Sequence, residues 1–281
     1  MSKGFLIFAH DSGIKKYTKC AYALALSIKT NCANSSVSIV TDNDLPSKYK
    51  LVFDNVISIP WRDYTNYSNT FYKTEDRWKL YHCSPYEETI VMDADMLVLS
   101  DINHYWDCVK RYDLFLTNYV KDYRNRIIKG RYYRKIFDAN QLPDLYSGLM
   151  YFKKTDFSNN FFLWLEKISN NWELFYGNYV SKNYPKFPSM DINVSLVTKI
   201  LDCEEDITLK DSILTFTHMK PMIQGWERVS ESWQDSIGSY FNDRCQLKIG
   251  NYQQYGIFHY TEYSFLNDMI INNLEHNLGI N

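Results

Sequence analysis

The chain has 281 residues, a formal net charge of −2 and an aromatic content of 17%, including 24 tyrosines and 7 tryptophans. This length supplies an ample hydrophobic core, and the near-neutral charge argues against a general polyanion binder, although charge can still be concentrated locally. The many tyrosines favour amphipathic surfaces of the kind that stack on sugars or bases.

The cysteines and the N-terminus predict the cellular setting. The six cysteines are widely spaced and form no Cys-x-x-Cys pair, so we expect buried free thiols rather than a zinc site or disulfides. The first apolar run is interrupted by His10 and Asp11, too early for a signal-peptide core, and no window is apolar enough to span a membrane. These features predict a cytoplasmic protein.

The first third of the chain predicts alternating strands and helices. Apolar runs predict buried strands over residues 5–9, 37–40 and 56–59. Apolar residues at helical spacing predict helices over residues 14–33 and 71–83. This order predicts an α/β fold with a doubly wound, Rossmann-like sheet in a single domain.

The rest of the chain continues the alternation around a long polar stretch. The predicted elements are a helix over 103–112, a strand over 112–117, a polar, basic stretch over 118–144, a strand over 146–152, an amphipathic helix over 157–168, a helix from about Asp191 to 201, strands over 213–217 and 256–258, and a packing helix in the last twenty residues. Each of the two late strands is followed directly by a histidine, His218 or His259.

An acidic pair at the end of an apolar strand is the strongest functional signal. Residues 89–92 run directly into Asp93-Ala94-Asp95. In an extended chain, residues two apart point to the same side about 6–7 Å apart, so Asp93 and Asp95 could converge on one divalent cation. Oxygen ligands suit Mg²⁺ or Mn²⁺, which would neutralise charge on a departing phosphate. A plain surface turn is the alternative, but open α/β sheets bind ligands at the carboxyl ends of their strands.

The order of motifs resembles nucleotide-sugar glycosyltransferases of the A-type fold. The matching segments are Lys-Leu-Tyr-His-Cys at 79–83, Asp-Ala-Asp-Met-Leu-Val-Leu at 93–99, Ser-Gly-Leu-Met-Tyr-Phe at 147–152, a later Asp191 before a helix, and a late strand ending in histidine. The chain is most similar to family 8, which includes glycogenin and bacterial lipopolysaccharide glycosyltransferases. The resemblance implies a mixed central sheet flanked by helices, with a donor-binding half over 1–102, an acceptor and catalytic half over 103–261, and a C-terminal helix over 262–281.

The resemblance also implies a role for each matching residue. Asp93 and Asp95 match the acidic pair whose metal grips the donor diphosphate, and Asp191 matches the carboxylate near the anomeric carbon. The other matches are Ala9, His10 and Asp42 at the nucleoside, Lys79 near the donor sugar and phosphate, and Ser147 and Gly148 along the donor sugar.

Three departures from the family pattern affect this assignment. Tyr146 stands where the family usually has Asn, and Asp191 lies in Ser-Met-Asp-Ile-Asn rather than in Asp-x-x-Asp-Gln. The closing His-x-x-Gly-x-x-Lys-Pro-Trp motif is present only as fragments after His218. By order along the chain, His259 is the better match for the third metal ligand, and His218 would lie near donor or acceptor.

The resemblance therefore implies transfer of a sugar from a UDP-sugar, with retention at the anomeric carbon. An imidazole beside two carboxylates shifts the metal preference from Mg²⁺ toward Mn²⁺. Asp191 would either stabilise the oxocarbenium-like centre or attack it. Two alternatives remain at this point. One is an Asp-x-Asp phosphatase, which Leu97 at the fifth motif position disfavours, and the other is a noncatalytic nucleotide-sugar or glycan-binding module.

A concentrated basic stretch suggests the class of acceptor. Over residues 121–135, seven basic residues stand against the single acid Asp122, with three tyrosines interleaved. We expect Arg131, Arg134 and Lys135 to face an anionic acceptor such as a phosphorylated glycan, a lipid-linked saccharide or a nucleic acid. A lid over the donor diphosphate and a solvated basic face are the alternatives.

Overall fold

The computed structural model describes residues 2–61, 73–128, 134–209, 214–220 and 232–280. The strands within these ranges are β1 (Lys3–Phe8), β2 (Val37–Val40), β3 (Asn55–Ile57), β4 (Glu88–Asp93), β5 (Met96–Val98), β6 (Leu114–Thr117), β7 (Tyr146–Lys153), β8 (Phe216–His218), β9 (Ser239–Phe241), β10 (Leu247–Ile249), β11 (Tyr252–Gln253) and β12 (Ile257–His259).

The helices within the same ranges are α1 (Tyr17–Asn31), α2 (Ser47–Lys50), α3 (Leu80–Cys83), α4 (His104–Val109), α5 (Lys135–Asn140), α6 (Asp156–Asn170), α7 (Trp172–Tyr179), α8 (Met190–Leu201), α9 (Glu204–Ile207) and α10 (Asp268–Asn277). Short 3₁₀ helices span Lys73–Lys79 and Tyr263–Phe265.

A six-stranded mixed sheet in the order β3-β2-β1-β4-β7-β6 forms the centre of the molecule. The first four strands are parallel, and β7 runs antiparallel to both β4 and β6. This confirms the predicted α/β class with a mixed central sheet. Because the parallel strands end at the same edge, the residues that follow β1, β2 and β4 lie along that edge.

The central strands are apolar on both faces because helices cover both sides of the sheet. Alternate residues of β1 divide between two hydrophobic clusters, with Phe5 and Ile7 in one and Leu6 in the other. The first cluster includes the apolar face of α1, and the second includes that of α6 and α8. This packing makes the sheet a rigid support for the residues at its edge.

A second, three-stranded sheet in the order β5-β12-β8 brings the late strands to the acidic pair. In its register His259 pairs with Met96 on one side and with His218 on the other. The prediction of one extended run through Asp93 and Asp95 is wrong. The chain turns at residues 94 and 95, because β5 leaves the large sheet to pair with β12, and Tyr260 N donates to Asp95 O over 3.2 Å.

Several other predicted elements differ in extent. The helix predicted over 71–83 is mostly 3₁₀, and the C-terminal helix predicted over 262–281 begins at Asp268, where the Asn267 side chain caps it. The three-stranded sheet β11-β10-β9 was not predicted, since strands of two or three residues carry too little periodicity to be recognised.

Two predictions about composition can be compared directly with the structure. All six cysteines are free thiols, five of them buried and Cys108 half-buried, which confirms their interpretation. No helix in the described ranges is long and apolar enough to cross a membrane.

Candidate active site

Asp93, Asp95 and His259 converge beside the carboxyl end of β4. Asp93 is the last residue of β4, Asp95 lies in the following turn, and His259 ends β12. One candidate ligand atom from each residue lies within 4.8 Å of the other two. The three residues predicted as metal ligands are therefore together in space, although they come from two different sheets.

The charges of this cluster are balanced by cationic groups. His259 Nε2 lies 3.1 Å from Asp95 Oδ1, and Arg77 Nη1 lies 2.7 Å from Asp93 Oδ1. Burial opposes ionisation of Asp95 and His259, but their mutual attraction outweighs it, lowering the pKa of Asp95 and raising the pKa of His259. His259 and the guanidinium of Arg77 thus offset the negative charge of the two carboxylates.

The donor set fits a divalent cation with a phosphate ligand. Two carboxylates and an imidazole suit Mn²⁺ or Mg²⁺, with the imidazole favouring Mn²⁺. Among the described residues, the buried atoms Arg77 Nε and His259 Nδ1 have no hydrogen-bond partner. Arg77 Nε is an unused donor next to the acidic cluster, which is the chemistry that an anionic phosphate requires.

Gly148 allows the start of β7 to pack directly against the cluster. A Cβ atom at this position would lie 2.5 Å from Asp93 Oδ2 and 3.4 Å from Met96 Cε. The preceding residue contributes its carbonyl oxygen, because Arg77 Nη2 donates to Ser147 O over 3.2 Å. The predicted Ser147-Gly148 segment therefore contacts both the metal cluster and its arginine.

Arg77, and not Lys79, pairs with a carboxylate of the acidic cluster. Lys79 Nζ instead pairs with Asp76 at 2.6 Å and donates to Trp61 O at 3.4 Å. A 3₁₀ helix has three residues per turn, so residues 76 and 79 lie on one side and residue 77 is rotated away from them. Lys79 therefore makes its described contacts with Asp76 and Trp61, and its predicted role near the donor sugar and phosphate stays a prediction.

Asp191 lies in the first turn of α8 and has both carboxylate oxygens occupied. Its Oδ1 accepts from Ser147 N at 2.8 Å and Ser147 Oγ at 2.7 Å, and its Oδ2 accepts from Arg134 Nη1 at 2.7 Å. Burial favours the neutral acid, but the charge of Arg134 and the two bonds from Ser147 hold the pKa of Asp191 below its usual value. Asp191 is a fixed, ionised carboxylate next to the donor-sugar segment.

Arg134 is buried rather than facing an acceptor, and the expectation for this residue is wrong. Its side chain is 3% exposed and also pairs with Asp144. Arg131, predicted on the same surface, lies outside the described residues, whereas Lys135 is exposed. The charge pattern could not reveal this, because the partners Asp144 and Asp191 are distant in the sequence.

The residues predicted to hold the nucleoside follow β1 and β2, at the same edge as Asp93. Ala9 is buried and donates from its backbone N to Val40 O at 3.1 Å, and His10 is half-buried. Asp42 Oδ1 accepts from Ile59 N at 2.8 Å, which ties the ends of β2 and β3 together. Each predicted residue is therefore at the sheet edge, and Asp42 also has a structural role.

His218 supports His259 from the neighbouring strand. The two imidazole rings are stacked, with centroids 4.7 Å apart and an interplanar angle of 4°. Burial, together with the positive charges of His259 and Lys220, lowers the pKa of His218 well below its usual value. A neutral His218 can pack against His259 without electrostatic repulsion.

Two residues near the site were not predicted. Burial lowers the pKa of Lys220 to about 8, although the nearby charge of Asp191 acts in the opposite direction. Burial and the charges of Asp95 and Asp93 raise the pKa of Tyr17 to about 12. Neither residue lies in a complete sequence motif, so only their proximity to the site in the structure identifies them.

The fold is similar to solved glycosyltransferase structures. No protein-family model and no curated protein matches the chain. The galactosyltransferase LgtC, in complex with donor and acceptor sugar analogs, aligns with a TM-score of 0.54 and 13% identity over 99% of this chain and 94% of LgtC. Mouse xyloside xylosyltransferase 1, in its apo form, aligns with a TM-score of 0.52 and 10% identity over 92% of this chain and 97% of that chain.

A third match is to a longer chain. The glycosyltransferase GlyE of Streptococcus pneumoniae TIGR4 aligns with a TM-score of 0.46 and 12% identity over 99% of this chain, which spans 64% of the GlyE chain. The matches to LgtC and to the mouse enzyme confirm the A-type glycosyltransferase fold that the sequence motifs predicted.

Proposed function

We propose that the protein is a metal-dependent glycosyltransferase that transfers a sugar from a UDP-sugar to an acceptor with retention of the anomeric configuration. The observation that carries this proposal is the Asp93–Asp95–His259 cluster at the carboxyl edge of an A-type glycosyltransferase sheet. Within it, residues 1–102 mainly bind the donor and residues 103–261 supply the acceptor side and Asp191.

The cluster and its neighbouring residues have different proposed roles in binding the donor. Asp93, Asp95 and His259 would hold Mn²⁺ or Mg²⁺, which supplies Lewis-acid stabilisation of the leaving diphosphate when it is bound. Arg77 orients Asp93 and offers its buried Nε to a phosphate oxygen. Ala9, His10 and Asp42 would contact the nucleoside from the ends of β1 and β2.

Asp191 acts as a fixed negative charge at the donor sugar. All three of its hydrogen bonds are made within the protein, so attack on the anomeric carbon would require one of its oxygens to break a bond first. Stabilisation of positive charge needs no such rearrangement, and a preorganised carboxylate is effective in this role. The geometry therefore favours Asp191 as an electrostatic stabiliser over Asp191 as a nucleophile.

An anionic acceptor remains part of the proposal, on a smaller basic surface than the sequence suggested. Residues 121–127 form a hairpin whose first residue bridges to Thr217 of β8, immediately before His218. Arg124 and Arg126 are exposed on this hairpin, and Lys135 is exposed at the start of α5. We call Arg124, Arg126 and Lys135 the basic surface, and phosphorylated glycans are the acceptor class that we favour for it.

The decisive experiment measures UDP release from a panel of UDP-sugars with and without Mn²⁺. We expect slow, Mn²⁺-dependent release by the wild type and a loss of at least about 100-fold in the Asp95→Asn variant, because the neutral amide keeps the packing but removes a charge that holds the cation. Asp93→Asn should behave likewise. Asp107→Asn, on an exposed residue of α4, is the matched control and should retain full activity.

The same assay separates the alternatives. Near-normal release by Asp95→Asn would refute the metal-dependent mechanism. Binding of a UDP-sugar without any release would indicate a noncatalytic module. Phosphate release from p-nitrophenyl phosphate without UDP release would instead support the phosphatase class.

A further inference from the structure

Arg134 makes an unusually complete set of buried contacts. Its Nη1 donates to Asp191 Oδ2 at 2.7 Å, its Nε pairs with Asp144, and its Nη2 donates to Leu145 O. The guanidinium carbon also lies 3.7 Å from the ring centroid of Phe137. Every nitrogen of the guanidinium group therefore has a protein partner, inside an aromatic and acidic enclosure.

The partners of Arg134 come from three different parts of the site. Asp191 belongs to α8, Phe137 belongs to α5, and Asp144 and Leu145 lead into β7. The first residue of β7, Tyr146, stacks its ring at 4.1 Å from the guanidinium carbon. Arg134 thus fixes the start of β7 relative to α8.

The start of β7 is the segment that reaches the metal cluster. Ser147 connects Asp191 to Arg77, because it donates to Asp191 and its carbonyl oxygen accepts from Arg77. Gly148 lies directly against Asp93. A continuous series of contacts therefore runs from Arg134 through Asp191 and Ser147 to the arginine and carboxylate of the metal cluster.

Lysine could not make these contacts. A guanidinium presents several donors in a planar fork, whereas an ammonium is a compact point charge on a flexible chain. Two half-buried carboxylates around the buried guanidinium also need that cation to remain ionised, since an uncompensated charge in such a place is costly. The identity of the residue as arginine therefore matters to the arrangement.

We propose that Arg134 is a positioning residue, which fixes the carboxylate of Asp191 and holds the Ser147-Gly148 segment against the metal cluster. This role rests on the proposed function, because it acts through residues assigned to the donor sugar and the metal. Among the hydrogen bonds and ion pairs of the described residues, none joins Arg134 to the metal cluster, so its effect is exerted through Asp191 and β7.

The first test measures the ionisation of Asp191 directly, without turnover. The charged or titratable groups that act on Asp191 or on Arg134 are Asp144, Tyr146, Tyr176, His218 and Lys220. With ¹³C-labelled aspartate, and with Asp191→Asn to assign the signal, the wild-type carboxylate should remain ionised from about pH 8 to pH 5. In Arg134→Met, only the two bonds from Ser147 still offset burial, so the pKa of the same carboxylate should rise above its wild-type value. Arg134→Lys should give an intermediate value.

The second test uses chemical rescue of UDP release. Arg134→Ala should lose at least about 10-fold in rate. Added guanidinium at non-denaturing concentration should restore part of that loss, because it can bind where the Arg134 side chain was and supply the same planar set of donors. Guanidinium should not accelerate the wild type, and Arg244→Ala, on the exposed turn between β9 and β10, should show neither loss nor rescue. Asp144→Asn gives a milder variant that keeps Arg134 in case the alanine variant does not fold.

The outcomes distinguish positioning from a purely structural role. An unchanged Asp191 titration in Arg134→Met, or a lower melting temperature with no rescue and no loss of rate per folded molecule, would overturn the proposal. If the wild type releases UDP from no donor, the proposed function fails, while the Asp191 titration still decides whether Arg134 controls that carboxylate.

Discussion

The two carboxylate groups of the site are held in contrasting ways. In the metal cluster, Asp95 is paired with a titratable imidazole, and Asp93 is paired with an arginine that keeps a buried donor unused. Around Asp191, the hydrogen bonds come from Ser147 and Arg134. The first group thus combines its carboxylates with a histidine and an unused donor, whereas the second holds a single carboxylate in one place.

Backbone position explains this difference. Asp93 and Asp95 flank the point where the chain passes from one sheet to another, so their side chains converge with His259 on a shared space. Asp191 lies in the first turn of the twelve-residue helix α8, where the helix dipole favours a negative charge. This difference supports the proposed roles, which are cation binding by the cluster and electrostatic stabilisation by Asp191.

The largest effect is expected at Asp191 and concerns turnover. Asp191→Asn should lower the rate of UDP release by about 100- to 1,000-fold, because it removes a preorganised charge that acts mainly in the transition state. Donor affinity, measured by calorimetry in the presence of Mn²⁺, should change far less. Asp202→Asn, just beyond the end of the same helix, is the control. Equal losses in rate and affinity would make Asp191 a binding residue for donor hydroxyls.

A smaller effect, on metal affinity, should separate the two histidines. His259→Ala should weaken Mn²⁺ binding about 100-fold, because it removes a direct ligand of the metal. His218→Ala should weaken it less than about 10-fold, because His218 acts only through its contact with His259. A Mn²⁺ titration followed by electron paramagnetic resonance measures both constants. The reverse ranking would show that His218, and not His259, completes the cluster.

Substitution of Gly148 tests the contact between the start of β7 and the metal cluster. Gly148→Ala should weaken Mn²⁺ binding about 10-fold, an effect typical of changes next to a metal ligand, because the added methyl group would lie 2.5 Å from Asp93 Oδ2. Gly177→Ala is a matched control, since nothing lies within 4 Å of a Cβ at that position in α7. Wild-type metal affinity in Gly148→Ala would mean that the Asp93 carboxylate can move without loss of the site.

The sequence predicted the metal cluster better than the Asp191 region. Asp93 and Asp95 stand at the end of an apolar strand, so a local pattern was sufficient to group them, and the family resemblance together with order along the chain added His259. The partners of Asp191 were not recognisable in the same way, because Arg134 looked like part of a basic surface and Asp144 belonged to no motif. Long-range pairing of buried charges leaves no periodic signal in a sequence.

Local geometry accounts for the remaining differences. Within Lys73–Lys79, Arg77 pairs with Asp93 and Lys79 pairs with Asp76, a difference that hydrophobic spacing does not reveal, and three- or four-residue helices and 3₁₀ turns are hard to distinguish by the same signal. The parallel sheet, by contrast, was predictable because its strands are apolar runs bounded by polar residues. The fold was therefore predictable from the pattern of apolar residues, whereas the side-chain pairs could be identified only in the structure.

The smallest expected effect concerns the basic surface, which lies outside both carboxylate groups. Replacing Arg124, Arg126 and Lys135 together with glutamine should raise the Michaelis constant for a phosphorylated glycan acceptor by about 3- to 10-fold and reduce its dependence on salt, because exposed charges act over short, screened distances. Mn²⁺-dependent donor hydrolysis should stay unchanged, since none of the three contacts the metal cluster. Lys110→Gln with Arg111→Gln, on another exposed segment, controls for the loss of surface charge. A loss of donor hydrolysis would instead assign this surface to closure over the donor, and equal effects in the control would show that net charge alone matters.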